Sequence, residues 1–353
     1  MDVHRGLNGS RTVIVERGDH SRVFVARGGF GYVQRPYMFH GHEFARRAYF
    51  YNGHYYNRFY ARYYWRGVYI NPYYPAFYYR PAFYGWAYNP WPAPVRFSWG
   101  WGGAPWFGVY GGYFTPYPVY AGPAFWLTDY MIANSLQAAY ADQQAQAAAA
   151  GGEPPAVLTP ETKAMIAEEV RRQIALENAE AQAGQSDPNN ASSSVQRMLT
   201  DGIPHVFVAG QYLDVLDASG SECSLSEGDA VQLGQNAPDA TQINVVVLAN
   251  KGGRECPKGD TVAIGLDELQ EMQNHMRETI DQGMAELQKK QGTGGLPPAP
   301  KSTLDAPTAS PMAAIAPPPP PEDEVKSELT QQQADADAAE KEAAAAPTGG
   351  GMQ

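Results

Sequence analysis

Cysteine is nearly missing from this chain: only Cys223 and Cys256 occur among 353 residues. Neither belongs to a C-x-x-C pair, which argues against a zinc site or a thioredoxin-like dithiol. Each lies shortly before a Gly-Asp, in Cys223-Ser-Leu-Ser-Glu-Gly228-Asp229 and Cys256-Pro-Lys-Gly259-Asp260. The favoured reading is a disulfide closing a loop of about 34 residues, for which chain entropy gives roughly 3 to 4 kcal/mol. Two reduced, buried thiols are the alternative.

Long apolar runs are missing as well. No window reaches the roughly 18 apolar residues of a membrane helix, and Met1-Asp2-Val3-His4-Arg5-Gly6 has no apolar signal-peptide core. Taken literally, the chain neither spans a membrane nor is exported. Val13 to Val15, however, look like a strand already in mid-pattern, so the expectation is a start at an internal Met with an export signal lost upstream.

Catalytic signatures are scarce. The glycine run Arg27-Gly28-Gly29-Phe30-Gly31-Tyr32 has no strand–loop–helix unit ending in GK[ST], which excludes a phosphate loop. No Ser/His/Asp or Cys/His arrangement stands in a motif context, and paired carboxylates fall mainly on helix surfaces and in the tail. His40-Gly41-His42-Glu43 alone has metal-ligand character, because two imidazoles two apart on an extended strand share a face. A further His such as His54 would be needed. The bland reading of His40, His42 and Glu43 is a solvated loop, so no cofactor is expected and the chain reads as non-enzymatic.

What is present is split in two. All seven Trp and twenty of the 23 Tyr lie before residue 127, in runs such as Tyr49-Phe50-Tyr51 and Tyr63-Tyr64-Trp65. That stretch contains no Lys; thirteen Arg face four acids, a surplus of +9, whereas thirteen basic and 33 acidic groups follow, a deficit of −20. Tyr, Trp and Arg stack on one another and on flat ligands at about 0.5 to 2 kcal/mol per contact. Such surfaces bind sugars, envelope polymers or one another, and the competing reading is that the rings pack on themselves.

The expected fold is mainly β with helices. Hairpins are predicted at Thr12 to Val15 with Arg22 to Val25 about Gly18-Asp19, at Ala48 to Tyr51 with His54 to Tyr56 about Asn52-Gly53, and through Arg66-Gly67. Ten prolines between Pro72 and Pro123 each remove a donor, so 71 to 124 reads as extended aromatic coil and 1–124 as one region. Residues 125–195 form a helical, Ala/Gln-rich linker region. Its first helix is capped near Thr128 and its second has Thr159 as N-cap, Pro160 first and a stripe of Ile166, Val170 and Ile174 suited to a weak coiled coil. Glu168 and Arg172 are expected to pair, and 181 to 194 reads as linker.

The compact unit is placed at 196–292. Five strand-like runs, at 205 to 209, 211 to 217, 229 to 233, 243 to 249 and 260 to 264, with Gly-Asp before two of them, suit a small SH3-like barrel. A helix from Leu266 to Lys290 follows, with Leu266, Leu269, Met272, Met276, Ile280, Met284 and Leu287 in one stripe. The Pro/Ala/acidic tail 293–353 reads as disordered.

The run from Phe83 to Trp91, with Trp99-Gly100-Trp101, Tyr117-Pro118-Val119-Tyr120 and Trp126-Leu127-Thr128-Asp129-Tyr130, resembles secreted or envelope-associated bacterial proteins of acidobacterial type over much of 1 to 290. The resemblance implies export and no activity. The functional expectation is therefore a cell-envelope or extracellular protein that adheres to polysaccharide or peptidoglycan through Trp65, Trp86, Trp91, Arg96, Trp99 and Trp101. An SH3-like module and self-association complete it. The alternatives are Arg/Tyr-driven nucleic-acid binding or condensation, which the overall charge of −11 disfavours, and metal binding at His40, His42 and Glu43.

Overall fold

The computed structural model describes residues 1–7, 11–26, 30–51, 53–144, 155–183, 194–237, 240–301 and 306–345. The β-branched and aromatic alternation of the N-terminus builds an antiparallel meander of β1 (Asp2–Arg5), β2 (Arg11–Glu16), β3 (Arg22–Ala26), β4 (Gly31–Phe39), β5 (His42–Tyr51), β6 (His54–Trp65) and β7 (Val68–Ile70), paired in chain order. β8 (Tyr73–Tyr74) adds to β6. All three expected hairpins form. A fourth, β4–β5, turns at His40-Gly41, where both residues have positive φ (47° and 80°), as do Arg66 and Gly67 (47° and 90°). Two positive φ values define the tight turn that matches strand twist.

Residues 71 to 124 depart from the expected coil. β9 (Phe77–Tyr78), α1 (Pro81–Tyr88), a 3₁₀ turn at Trp101–Gly103 and α2 (Pro105–Tyr110) occupy much of it. Pro81 and Pro105 stand at the first helical position, where no N–H is needed, so prolines that bar a sheet instead start helices.

α3 (Pro123–Gln144) begins five residues ahead of the expected cap, and Thr128 Oγ1 donates to Ala124 O within the helix at 2.8 Å. α4 (Pro160–Ala183) is capped as read: Thr159 Oγ1 accepts from Thr162 N–H at 3.2 Å. Its stripe packs among α1, α3 and strand elements instead of a coiled-coil partner. Glu168 pairs with Arg171, and Arg172 turns to Glu169. The Ala/Gln tract beyond Gln144 and most of 181 to 194 lie outside the described residues.

After α5 (Val195–Met198), each of the five expected runs contains a strand: β10 (Val206–Val208), β11 (Leu213–Asp217), then β13 (Ala230–Leu233), β14 (Gln242–Ala249) and β15 (Thr261–Gly265), with β12 (Glu222–Leu225) as a sixth. The antiparallel order is β10-β13-β14-β15-β11-β12, and among the described residues no ladder joins β10 to β12. The repeated Gly-Asp has a backbone cause. Gly228 and Gly259 have φ of 94° and 92°, the N–H of each following Asp closes a turn, and each Gly-Asp exchanges two hydrogen bonds with one residue alongside, Ala209 or Val247. This is the bulge that needs glycine in the left-handed region.

α6 (Leu266–Lys290) has the predicted bounds, and its seven-residue stripe is buried. Its polar positions Gln270, Gln273, Asn274 and Arg277 are buried too: Asn274 accepts from Tyr73 N–H beside the N-terminal sheet, Gln270 accepts from Val195 N–H, and Arg277 meets Glu177 and Glu180 of α4. The tail is not without structure over its described residues. β16 (Thr308–Ala309) pairs with β9, and α7 (Pro311–Ile315) and α8 (Glu322–Ala345) lie on the other face of the sheet. The protein is thus mixed α/β, with one core cluster running from Ile70 to Leu296.

Candidate functional site

Of the tryptophans expected as contact residues, Trp91 is buried, and Trp65, Trp86, Trp99 and Trp101 are half-buried against the core. Trp99 stacks on Trp101 at 4.3 Å between ring centroids and on Trp126 at 4.6 Å, and its Nε1–H donates to Tyr120 Oη at 2.6 Å. Trp91 is buried, Trp86 packs between it and Phe83, and Trp65 backs onto the core beneath the Arg66 guanidinium, 4.1 Å away. Arg96 is exposed, and no described ring takes its charge. Large rings gain from mutual burial, so Trp91 serves as core and the other four pack against the core cluster with part of each residue still open to water.

The arginine surplus is answered from within the chain. Alternation along β5 sends Arg47 to the α6 face and Arg46 to the tail face. Arg47 makes a two-bond fork to Glu271 at 2.6 and 2.9 Å, donates to Gln34 at 2.9 Å and lies 4.0 Å over the Tyr60 ring. Burial pushes the Glu271 carboxyl up, but the Arg47 charge and bonds hold it below the usual range. Tyr60 donates to Glu278 and shares a 2.8 Å contact with Tyr49 Oη; burial carries both phenols upward. Arg5, Arg11, Arg17 and Arg35 meet Glu340, Asp337, Glu328 and Glu324 of α8.

The metal constellation is not assembled. His40 sits in the β4–β5 turn while His42 starts β5, so they do not stand on one face of a strand. His54 lies at the far end of β5, roughly 30 Å along it at 3.4 Å per residue. Glu43 takes His20 Nδ1 at 2.9 Å and Arg62 at 3.3 Å. Among the described residues no group of three His, Cys, Asp or Glu could hold a metal ion.

What this end of the sheet does display is aromatic. Tyr64 and Tyr69 are cross-strand partners across the Arg66-Gly67 turn, 63% and 41% exposed, with ring centroids 5.2 Å apart. The Arg62 guanidinium lies 4.1 Å over Tyr69, His20 is 5.6 Å from the same ring, and Glu16 and Glu43 hold Arg62. Two accessible rings beside an imidazole, a guanidinium and two carboxylates offer apolar faces with donors and acceptors at their edge. Sequence reasoning passed over Tyr64 and Tyr69 in favour of tryptophan. The turn it identified already sets them opposite each other.

Cys223 and Cys256 form a disulfide, with Cα atoms 4.9 Å apart. It ties the edge strand β12 to the segment after β14, where Ser224 exchanges backbone bonds with Arg254 and Cys256. Nearby, Lys251 joins Asp229 and Glu255 at 2.5 and 2.8 Å, and burial and Glu227 push Asp142 up to about 8. Paired carboxylates therefore also occur inside, where Lys251 clamps the β13 entry. No helix of the described residues is long and apolar enough to cross a membrane. Comparison with known protein families, with curated proteins and with solved structures returns no match to the chain.

Proposed function

We propose that this is a non-enzymatic extracytoplasmic protein that holds polysaccharide on the rigid β6–β7 hairpin, with Tyr64 and Tyr69 as the ring-stacking pair. The observation that carries this is the exposure of two adjacent tyrosines fixed in register and flanked by His20, Arg62 and Glu43. Sugar rings present apolar C–H faces to such phenols and hydroxyls to the flanking polar groups. The disulfide is compatible with an oxidising compartment such as the envelope or exterior, which supports this reading. The second sheet, expected as an SH3-like module, enters this reading as support: Arg66 Nη1 donates to Ala240 O at 3.0 Å behind the hairpin.

The test is sedimentation of the full chain with peptidoglycan and with insoluble neutral polysaccharides. Tyr64→Ala with Tyr69→Ala is expected to cut binding at least about tenfold, roughly 1.4 kcal/mol, while leaving the melting temperature within about 2 °C. Trp99→Ala is expected to lower the melting temperature instead. Binding that survives loss of both tyrosines rejects the reading.

A further inference from the structure

α8 sits on a surface built for an acidic helix. Beneath it, Val13, Val23, Val25, Val33 and Ala48 make an apolar floor into which Val325, Leu329 and Ala336 pack. Gly31 opens the seat for Leu329, since a Cβ there would stand 2.9 Å from its Cδ2. Around the floor stand Arg5, Arg11, Arg17 and Arg35, each on an α8 carboxylate at 2.5 to 2.8 Å.

This helix is lightly held. Among its described side chains, only Val325 and Leu329 are large, apolar and buried against the sheet. Most of its ion pairs are partly exposed, with both Arg35 and Glu324 at 48%, and exposed pairs contribute about 0 to 1 kcal/mol each. A cavity of 280 Å³ remains between helix and sheet near Arg11 and Asp337. α7 is anchored separately, with Met312 buried among Tyr37, Phe44 and Tyr74. Between the two helices run Pro317 to Pro321, a stiff segment of roughly 3 Å per residue that is tied to the sheet where Arg46 donates to Pro317 O and Tyr55 Oη to Pro320 O.

We infer that the Val-floored, Arg-rimmed face of the N-terminal sheet is a docking site for an acidic amphipathic helix, and that α8 of a second copy of this chain is the helix it takes in trans. The resident α8 itself defines the fit, through its charge pattern, its two apolar anchors and the seat at Gly31. A helix held by two apolar anchors and partly exposed ion pairs, beyond an anchored α7, exchanges between copies once the Arg46 and Tyr55 bonds to the proline segment open, and it needs no new contacts to do so. This inference is independent of the polysaccharide reading, which concerns the hairpin end.

Two measurements test it. A fluorescein-labelled peptide of residues 317–345 is titrated by anisotropy against the full chain carrying Val325→Asp and Leu329→Asp, whose own α8 lacks its anchors. Saturable binding is expected, weakening about tenfold between roughly 0.05 and 0.5 M salt and lost when Arg17→Glu and Arg35→Glu are added. No binding to the unanchored chain with a native circular dichroism spectrum overturns the docking site, as does binding indifferent to the arginine reversals; Leu329→Ala alone serves if the double variant is insoluble. Then a full chain with Arg17→Glu and Arg35→Glu is mixed with one carrying Glu324→Arg and Glu328→Arg. Light scattering is expected to give a particle of twice the chain mass in the mixture only. A mixture of folded monomers, even with the peptide bound, overturns the second copy as occupant.

Discussion

Arg47 occupies one of the most enclosed positions in the chain, with 1% of its surface exposed, and its charge is matched by Glu271 alone among the carboxylates it contacts. Removing one partner of a fully buried pair strands the other at about 3 to 5 kcal/mol, whereas replacing both by apolar groups is often neutral; Glu271 keeps 26% of its side chain exposed, which brings the cost here to about 2 to 3 kcal/mol. Arg47→Leu is therefore expected to lower unfolding free energy by about that amount in urea titration, and Arg47→Leu with Glu271→Leu to recover most of it. Failure of the second change to rescue would show that the ring contacts to Tyr32 and Tyr60 matter more than the fork. Arg46 and Arg47 are equally basic in sequence. Strand alternation assigns them opposite faces, but nothing in the local sequence says which face meets Glu271, 224 residues away.

His205 joins elements. It precedes β10, and its two ring nitrogens meet Glu169 of α4 at 3.1 Å and Asp201 at 3.0 Å, with Arg172 also on Glu169. Burial alone would lower the imidazole; the bonds and charges of Glu169 and Asp201 outweigh it and raise it above 6.5. Burial would likewise raise Glu169, but His205 and Arg172 hold it below 4.5. The His205 contribution is present below pH 6.5 and is lost as pH rises through its raised value. The Glu169 contribution is present above pH 4.5 and is lost as pH falls through its lowered one. Melting temperature is expected to fall from pH 6 toward pH 8.5, and His205→Gln to flatten that fall. An unchanged slope in His205→Gln would place the pH dependence elsewhere. At this scale α6, the α4 cap and the three hairpins were legible, since periodicity, Thr159-Pro160 and turn residues act locally. α1 and α2 were not, because prolines that exclude a sheet are equally consistent with helix starts.

Charge and aromaticity make one whole of the two halves. The acids of α6 and α8 lie on the two faces of the arginine-rich sheet, and the core cluster gathers Trp126, Leu136, Ile166, Val231 and Met276 across the boundary expected near residue 195. A chain of residues 196–292 alone would expose the buried Gln273 and Arg277 face of α6 and the surface under α3. It is expected to show broad melting and to bind a hydrophobic dye, as a state without fixed packing does. A sharp cooperative transition in that fragment would show an independent domain. The disulfide pairing follows from having two cysteines, the strand and helix positions from local periodicity, and the stickiness of the first 126 residues from composition. Where that stickiness is spent depended on tertiary structure. Rings and arginines far apart in sequence from their partners lose less free energy facing Glu271, Glu278 and one another than facing water, and only the packed chain shows that Tyr64 and Tyr69 are left outside.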